Sequence, residues 1–330
     1  MSRKFFLIVL ALVLTLAACA PAPVVVEAPQ QPEVVVEDAP TATPTLPPTP
    51  TPLVFTDGLG RTVSLPAAAA RVVSLAPSNT EILFALGAGA QVVGRDEFSD
   101  YPAEAAALPT VGGSFGGYNL EQIVALEPDL VLAAEINTPE QVKALEDLGL
   151  TVYYLSNPTT LEEMYANLEI VAQLTGREKE AATLIESLKA RVQAVDEKIA
   201  PLIDKPVVFY EIDATDPNKP FTAGPGTFID LLIARAGGLN LTTAAGITDA
   251  YPQVGLEQIV TVDPQFIILG DSMWGVTVES VAARPGWDGL TAVKEGRVLP
   301  FDDNLVSRPG PRLVDGLEQL ARLLHPDAFK

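Results

Sequence analysis

The chain has 330 residues, 48% of them hydrophobic and 19% charged, enough for two ordinary domains with sizeable cores. Its 42 acids outnumber its 21 Lys and Arg two to one, and the net charge of −21 excludes a nucleic-acid binder that tracks phosphates. One cysteine, Cys19, excludes a disulfide framework within the monomer, and one histidine, His325, excludes multi-histidine zinc or copper centres.

Residues 1–18 begin with Arg3 and Lys4 and continue as an apolar run from Phe5 to Ala18. The run is too short to span a bilayer comfortably and has the length of a signal-peptide core. It ends in Leu16-Ala17-Ala18-Cys19, which resembles a bacterial lipobox. The resemblance implies cleavage after residue 18, lipidation of Cys19 and a mature net charge of −23, since two of the positive charges leave with the leader. More than one acyl chain gives stable anchoring where a single chain is marginal.

Residues 19–54 then read as a Pro/Thr-rich linker. Ten of the 29 prolines lie here, and they isolate the short Val-Val-Val-Glu pieces from one another. At roughly 3.1 Å per residue in polyproline II, such a linker reaches on the order of 100 Å.

The remainder repeats itself. LEQIVALEPDLVLA at 120–133 returns as LEQIVTVDPQFIIL at 256–269, and Pro128 and Pro264 keep the same offset of 136. Each copy reads as a helix start, a turn at proline and a short apolar strand. A looser echo relates RVVSLAPSNTEILFALGAG (71–89) to PVVFYEI…GTFIDLLIARAGG (206–238). Each of these is a β-branched strand, a loop, a threonine (Thr80, Thr227), an apolar helix and a glycine stop. Strand–helix alternation with continuous apolar strands predicts a mostly parallel, helix-covered sheet in each half.

Between the halves, 160–204 is a mostly helical connector broken near Thr175-Gly176. Its second part places Ala181, Leu184, Ile185, Leu188, Val192, Val195 and Ile199 at helical spacing, which predicts a single helix of roughly 35 Å. The fold expected is therefore α/β, with an N-terminal lobe (55–159) and a C-terminal lobe (205–330), each with a mostly parallel sheet, joined by one stiff helix that lies against both.

With these features in place, the chain resembles the class III substrate-binding proteins of ABC importers, which serve cobalamin, ferric siderophores and haem. Five segments carry the resemblance in order: RVVSLAPSNTEILFALG, VVGRDEFSDYP, GGYNLEQIVALEPDLVLA, YPQVGLEQIVTVDPQFIILG and RPGPRLVDGLEQLARLLHP. It implies ligand capture in a cleft between the lobes, modest lobe movement and delivery to a permease dimer. The protein would be held on the extracytoplasmic face of a bacterial membrane by its lipid. No catalytic group, resident cofactor or nucleic-acid partner is expected, and direct ligation by the protein is not required, because the metal arrives already chelated.

The resemblance also assigns residues. Glu121 and Glu257, the paired LEQIV glutamates, fall where the family makes salt bridges to permease arginines. A local reading coexists with this one: Asn119 and Gly255 look like helix N-caps, which puts each glutamate in a first turn, where the dipole favours it. Phe98, Phe115, Phe221 and Tyr251 match cleft-lining aromatics of cobalamin receptors, flat contacts suited to a corrin or porphyrin. Trp274 is another loop aromatic, with no firm counterpart. Arg308 falls where the family's arginine often reaches the ligand, Arg95 is a second basic contact, and Arg312 is expected to pair locally. Asn304 stands where some cobalamin receptors carry an acid, with Asp303 beside it. That departure counts against corrin-specific polar contacts, but two candidate arginines are few for an anionic ferric catecholate, so a cobalamin-like corrinoid is favoured slightly over a ferric siderophore, with haem third.

One enzyme reading competes. Gly112-Gly113-Ser114-Phe115-Gly116 matches the nucleophile pattern G-x-S-x-G, and His325 follows in hydrolase order, which would make a membrane-anchored serine hydrolase using Ser114. Against it, the elbow needs a helix starting at the serine, whereas Gly116-Gly117 intervenes. No Walker motif or G-x-G-x-x-G after a strand supports nucleotide chemistry.

Overall fold

A computed structural model describes residues 23–24, 52–113 and 116–330. Cys19, Ser114 and Phe115 lie outside the described residues, as do the leader and nearly all of the linker. All named elements belong to the compact unit Thr49–Lys330.

The body opens with an antiparallel hairpin, β1 (Leu53–Thr56) and β2 (Thr62–Leu65). Its turn is tied by buried Asp57, which accepts hydrogen bonds from the Leu59 and Arg61 amides at 3.0 and 2.9 Å and pairs with the Arg61 guanidinium. The N-terminal sheet follows: β3 (Val72–Ser74), helix α1 (Pro77–Ala85), β4 (Val92–Arg95), the small β5 (Gly112–Gly113) and β6 (Gly117–Tyr118), helix α2 (Leu120–Ala125), β7 (Leu130–Ala134), helix α3 (Pro139–Glu146) and β8 (Val152–Leu155). Its parallel order is β4-β3-β7-β8.

Helix α4 (Leu161–Thr175) stops at Gly176, whose φ of +70° is the left-handed conformation that glycine adopts without a Cβ penalty. Helix α5 (Glu178–Ile199) then runs for 22 residues, about 33 Å at 1.5 Å per residue. Ala181, Ile185, Leu188, Val192 and Val195 are buried and Leu184 and Ile199 are partly buried, so the stripe read from the sequence is the packed face.

The C-terminal half repeats the pattern with β9 (Val207–Asp213), β10 (Phe221–Thr222), helix α6 (Phe228–Arg235), β11 (Leu239–Asn240), helices α7 (Leu241–Ala244) and α8 (Leu256–Val262), and β12 (Phe266–Leu269). Helices α9 (Val278–Ala282) and α10 (Thr291–Lys294), strand β13 (Val298–Pro300) and helices α11 (Asn304–Ser307) and α12 (Leu313–Leu324) complete it. Strands β11, β9, β12 and β13 pair in parallel in that order, while β10 adds an antiparallel piece to β9.

The repeat extends to register. Val72 faces Leu130 between β3 and β7, and Val208 faces Phe266 between β9 and β12, both partners displaced by 136. The turns before β7 and β12 use Glu127 and Asp263 at φ 47° and 52°, each followed by proline, which cannot continue the preceding helix. Asp263 secures its turn by accepting hydrogen bonds from the Thr291 amide and hydroxyl at 2.8 and 2.7 Å.

Side-chain alternation divides the core. Val73, Val131 and Ala133 enter a cluster of the N-terminal lobe, and Phe209, Ile267 and Leu269 enter a cluster of the C-terminal lobe. Their neighbours Val72, Leu130, Leu132, Val208, Tyr210 and Ile268 point to the opposite faces, into one cluster that also takes the stripe of α5. Polar clamps hold the rim of that helix. Arg191 reaches Asp315 and Glu318 of α12 at 2.6 and 2.9 Å, and Asp196 pairs with Arg235 of α6 at 2.7 Å.

Candidate functional site

In open α/β sheets, ligands meet the loops beyond the carboxyl ends of the strands. Here the loops after β3, β4, β7, β12 and β13 meet around one cavity of about 580 Å³, within the usual range for small-molecule sites. Ala76, Pro77, Ser78, Phe98, Ala134 and Ile136 line it from the N-terminal lobe; Met273, Trp274, Asn304 and Arg308 line it from the C-terminal lobe.

Local chemistry places these groups. Buried Asp96 accepts hydrogen bonds from the Phe98 amide at 2.9 Å and from the Ser99 hydroxyl, folding the loop so that Phe98 stands 42% exposed in the wall. Burial pushes the Asp96 carboxyl up. The β12 strand gives way to a tight turn, Gly270–Trp274, that leaves Trp274 79% exposed beside Met273. Asn304 begins α11, with its amide donating to Asp302 at 3.1 Å.

The sequence-assigned aromatics divide. Phe98 lines the cavity, while exposed Phe221 and Tyr251 stand outside its immediate lining, on two segments joined by the Phe221–Gln253 bridge. Burial, then the charges of Glu135 and Asp303, pushes the Tyr251 phenol up; Glu135 follows β7, so this hydroxyl feels the opposite lobe. Trp274, the aromatic without a counterpart, is in the wall. Its cue was position: the loop after the second LEQIV–Pro–strand unit ends a parallel strand.

The arginines differ from expectation. Arg308 lines the cavity, but its guanidinium is engaged at 3.0 Å by Glu81 and at 2.6 Å by Asp100. Arg312 does not pair locally: it grips Glu81 of α1, 231 positions earlier, with Nε 2.8 Å from Oε2. Arg95 is no cleft contact, because its guanidinium is spent on the carbonyls of Asp96, Glu97, Ala105 and Ala106. Sequence reasoning also missed Glu81. It is buried inside an apolar helix, and only its paired guanidiniums make that burial tolerable.

The charge balance of the cleft is acidic. Glu97, Asp100 and Asp303 line it, and its one basic group, Arg308, is already paired. Among the described residues, no group of three His, Cys, Asp or Glu side chains could hold a metal ion, and no helix is long and apolar enough to cross a membrane.

The LEQIV glutamates occupy equivalent exposed positions in the first turns of α2 and α8. Asn119 caps α2 by accepting from the Gln122 amide at 3.0 Å, and Gln258 closes back on the Gly255 amide at 3.2 Å before α8. Three residues beyond each glutamate, Val124 and Val260 are 41% and 49% exposed.

Two α/β lobes with parallel sheets, one long helix and a cleft between strand ends define a class III substrate-binding fold. The chain belongs to the periplasmic binding protein family, which it matches over residues 72–305, and it is an ABC transporter substrate-binding protein. It is 34% identical over 284 residues to an uncharacterized ABC transporter substrate-binding lipoprotein of Bacillus subtilis, covering 84% of this chain and 87% of the relative. A cobalamin-binding protein of Halobacterium salinarum is 30% identical over 280 residues, covering 83% of this chain and 74% of that one. Among solved structures, a periplasmic heme-binding protein from Roseiflexus in apo form superposes with a TM-score of 0.71 at 28% identity, covering 79% of this chain and all of that one.

None of these findings supports the hydrolase reading. Helix α2 starts at Leu120, beyond the position an elbow at Ser114 requires, and the His325 ring meets the Gly237 carbonyl at 3.2 Å.

Proposed function

We propose that this protein captures a metal chelate between its lobes and hands it to an ABC permease, with a cobalamin-like corrinoid favoured over a ferric siderophore and haem third. The observation that carries the reading is the cleft itself, which is flanked by Phe98 and Trp274 and has an acidic rim whose only arginine is paired. Flat apolar contacts suit a macrocycle. An acidic wall disfavours multiply anionic ferric catecholates and, less strongly, the two propionates of haem. A corrinoid whose ring charge is offset by its own phosphate meets no such penalty.

In this reading Phe98, Phe115, Phe221, Tyr251, Asn304 and Arg308 contact the ligand, with Trp274 added. Glu121 and Glu257 dock the body on two permease subunits, and Val124 and Val260 supply apolar contact beside them. Residues 1–18 are the signal peptide and 19–54 the tether, with Cys19 its lipidated first residue; 55–159, 160–204 and 205–330 are lobe, connector and lobe. The Bacillus relative's name supports the anchor. Cys19→Ala should release the protein into the soluble fraction, and a variant that stays fully with the membranes refutes the anchor. Removing the protein from its host should abolish saturable, nanomolar-range cobalamin uptake, and undiminished uptake would overturn the assignment.

A further inference from the structure

Behind the cleft wall lies an acidic cluster with too few partners. Glu211 of β9 is fully buried and takes both nitrogens of Arg284, at 2.5 and 2.8 Å. Asp271, on the turn that ends in Trp274, is 3% exposed, and neither of its carboxylate oxygens has a well-formed hydrogen bond, the Glu211 carboxyl and the Ala214 backbone being the polar groups that act on it. The same region holds Asp213 at the end of β9 and, across the turn, Asp303, whose carboxylate accepts from the Tyr210 hydroxyl at 2.8 Å. Asp302 lies beyond it. The guanidinium of Arg284 is committed by two hydrogen bonds to Glu211 and acts on the buried Asp271 carboxyl only through its charge.

Two buried carboxyls so placed are stable only while one of them is neutral. Burial, then the charge of Glu211, pushes the Asp271 carboxyl up from 3.8 to about 7. Trp274 separates two spaces: the cleft on one side, and on the other a cavity of about 560 Å³ lined by Asp213, Thr215 and Asp271. Asp271 borders that second cavity but its two carboxylate oxygens are turned away from it and buried, so hydrating the ionised group calls for the turn to bring them round.

We propose that Asp271 is a positioning residue for the cleft: as the neutral acid it seats the Gly270–Trp274 turn against Glu211 and fixes Trp274 in the wall, and as the carboxylate it releases the turn, so that the cleft holds its ligand less tightly as pH rises. The consequence for binding rests on the functional reading above; the movement of the turn does not. Because the folded chain keeps this proton where the unfolded chain has lost it, stability also falls as pH rises from 3.8 to about 7.

The test uses the full chain without ligand and reads the time-resolved fluorescence anisotropy of Trp274, isolated by subtracting a Trp274→Phe variant that retains Trp287. Between pH 5 and 9 the local motion of Trp274 should increase with a midpoint near 7. Asp271→Asn should remain in the low-pH state throughout, and His325→Gln should leave the transition unchanged. Glu211→Gln frees Arg284 for Asp271 and should move the midpoint down by at least one pH unit, which keeps the test decisive if Asp271→Asn folds poorly. A transition that persists in Asp271→Asn, fails to move in Glu211→Gln or is absent from the native chain overturns the proposal. Cyanocobalamin affinity should fall about tenfold from pH 6 to 8.5 in the native chain and stay flat in Asp271→Asn. If cyanocobalamin binds at neither pH, the functional reading fails and the anisotropy result still decides this one.

Discussion

Arg312 and Glu81 meet across the two lobes, Nε to Oε2 at 2.8 Å, and Arg308 adds its own contact to the same carboxylate at 3.0 Å. Glu81 is 2% exposed, so a single buried acid from α1 is shared by two guanidiniums that precede α12, with Asp100 supplying the second negative charge at Arg308. The Arg312 guanidinium also lies 4.0 Å from the centre of the Tyr101 ring. The cleft floor is thus tied by charge as well as by the apolar packing of α5.

Glu81→Gln keeps the shape but leaves both arginines without their buried counter-charge. It should lower unfolding stability by about 3–5 kcal/mol, read from urea midpoints, because breaking a buried pair strands a desolvated charge. A loss below about 1 kcal/mol would show that the latch is surface-like.

The pair between α5 and α12 is more exposed and should act more weakly. The Arg191 guanidinium holds the Glu318 carboxyl below its ordinary 4.5. Its contribution is complete above pH 4.5 and disappears as pH falls through the lower folded value. In Glu318→Gln the stability change between pH 6 and pH 3 should shrink by about 0.5–1 kcal/mol, measured by thermal melts at each pH. An unchanged acid slope would contradict the assignment.

Phe98→Ala and Trp274→Ala should each weaken ligand binding about tenfold, equivalent to about 1.4 kcal/mol, with the unfolding midpoint unchanged. Phe221→Ala should cost less, since Phe221 lies outside the immediate lining. Equal losses at all three positions would place the ligand further out than the cavity.

If Glu121 and Glu257 act in docking as proposed, docking and capture should separate. Glu121→Arg with Glu257→Arg should leave ligand affinity unchanged and reduce uptake at least tenfold, while Val124→Asp with Val260→Asp should reduce it less. Affinity lost together with uptake would assign these helices to the ligand instead.

Much of the architecture was legible in the sequence because it is local and repeated. The LEQIV units carry their own caps, their prolines and their strands, and an offset of 136 that survives in residues holds in strand register as well. The α5 stripe was legible for the same reason. The Glu81–Arg312 pair was not: nothing within one turn of either residue signals a partner 231 positions away. Arg95 illustrates the converse. A loop arginine in an acidic chain reads as free to meet a ligand, yet its own backbone neighbourhood supplies four carbonyls. Trp274 was legible as a loop aromatic after a strand, but its place in the cavity wall depends on which loops of the other lobe face it.

The most direct test of the account is an equilibrium titration of the full chain with cyanocobalamin, ferric hydroxamate and catecholate siderophores, and haemin, read by Trp fluorescence corrected for ligand absorbance. The account predicts saturable, submicromolar, one-to-one binding of cyanocobalamin that Trp274→Ala weakens. Tight binding of the anionic catecholate in preference to the corrinoid, or of none of these compounds, would contradict it.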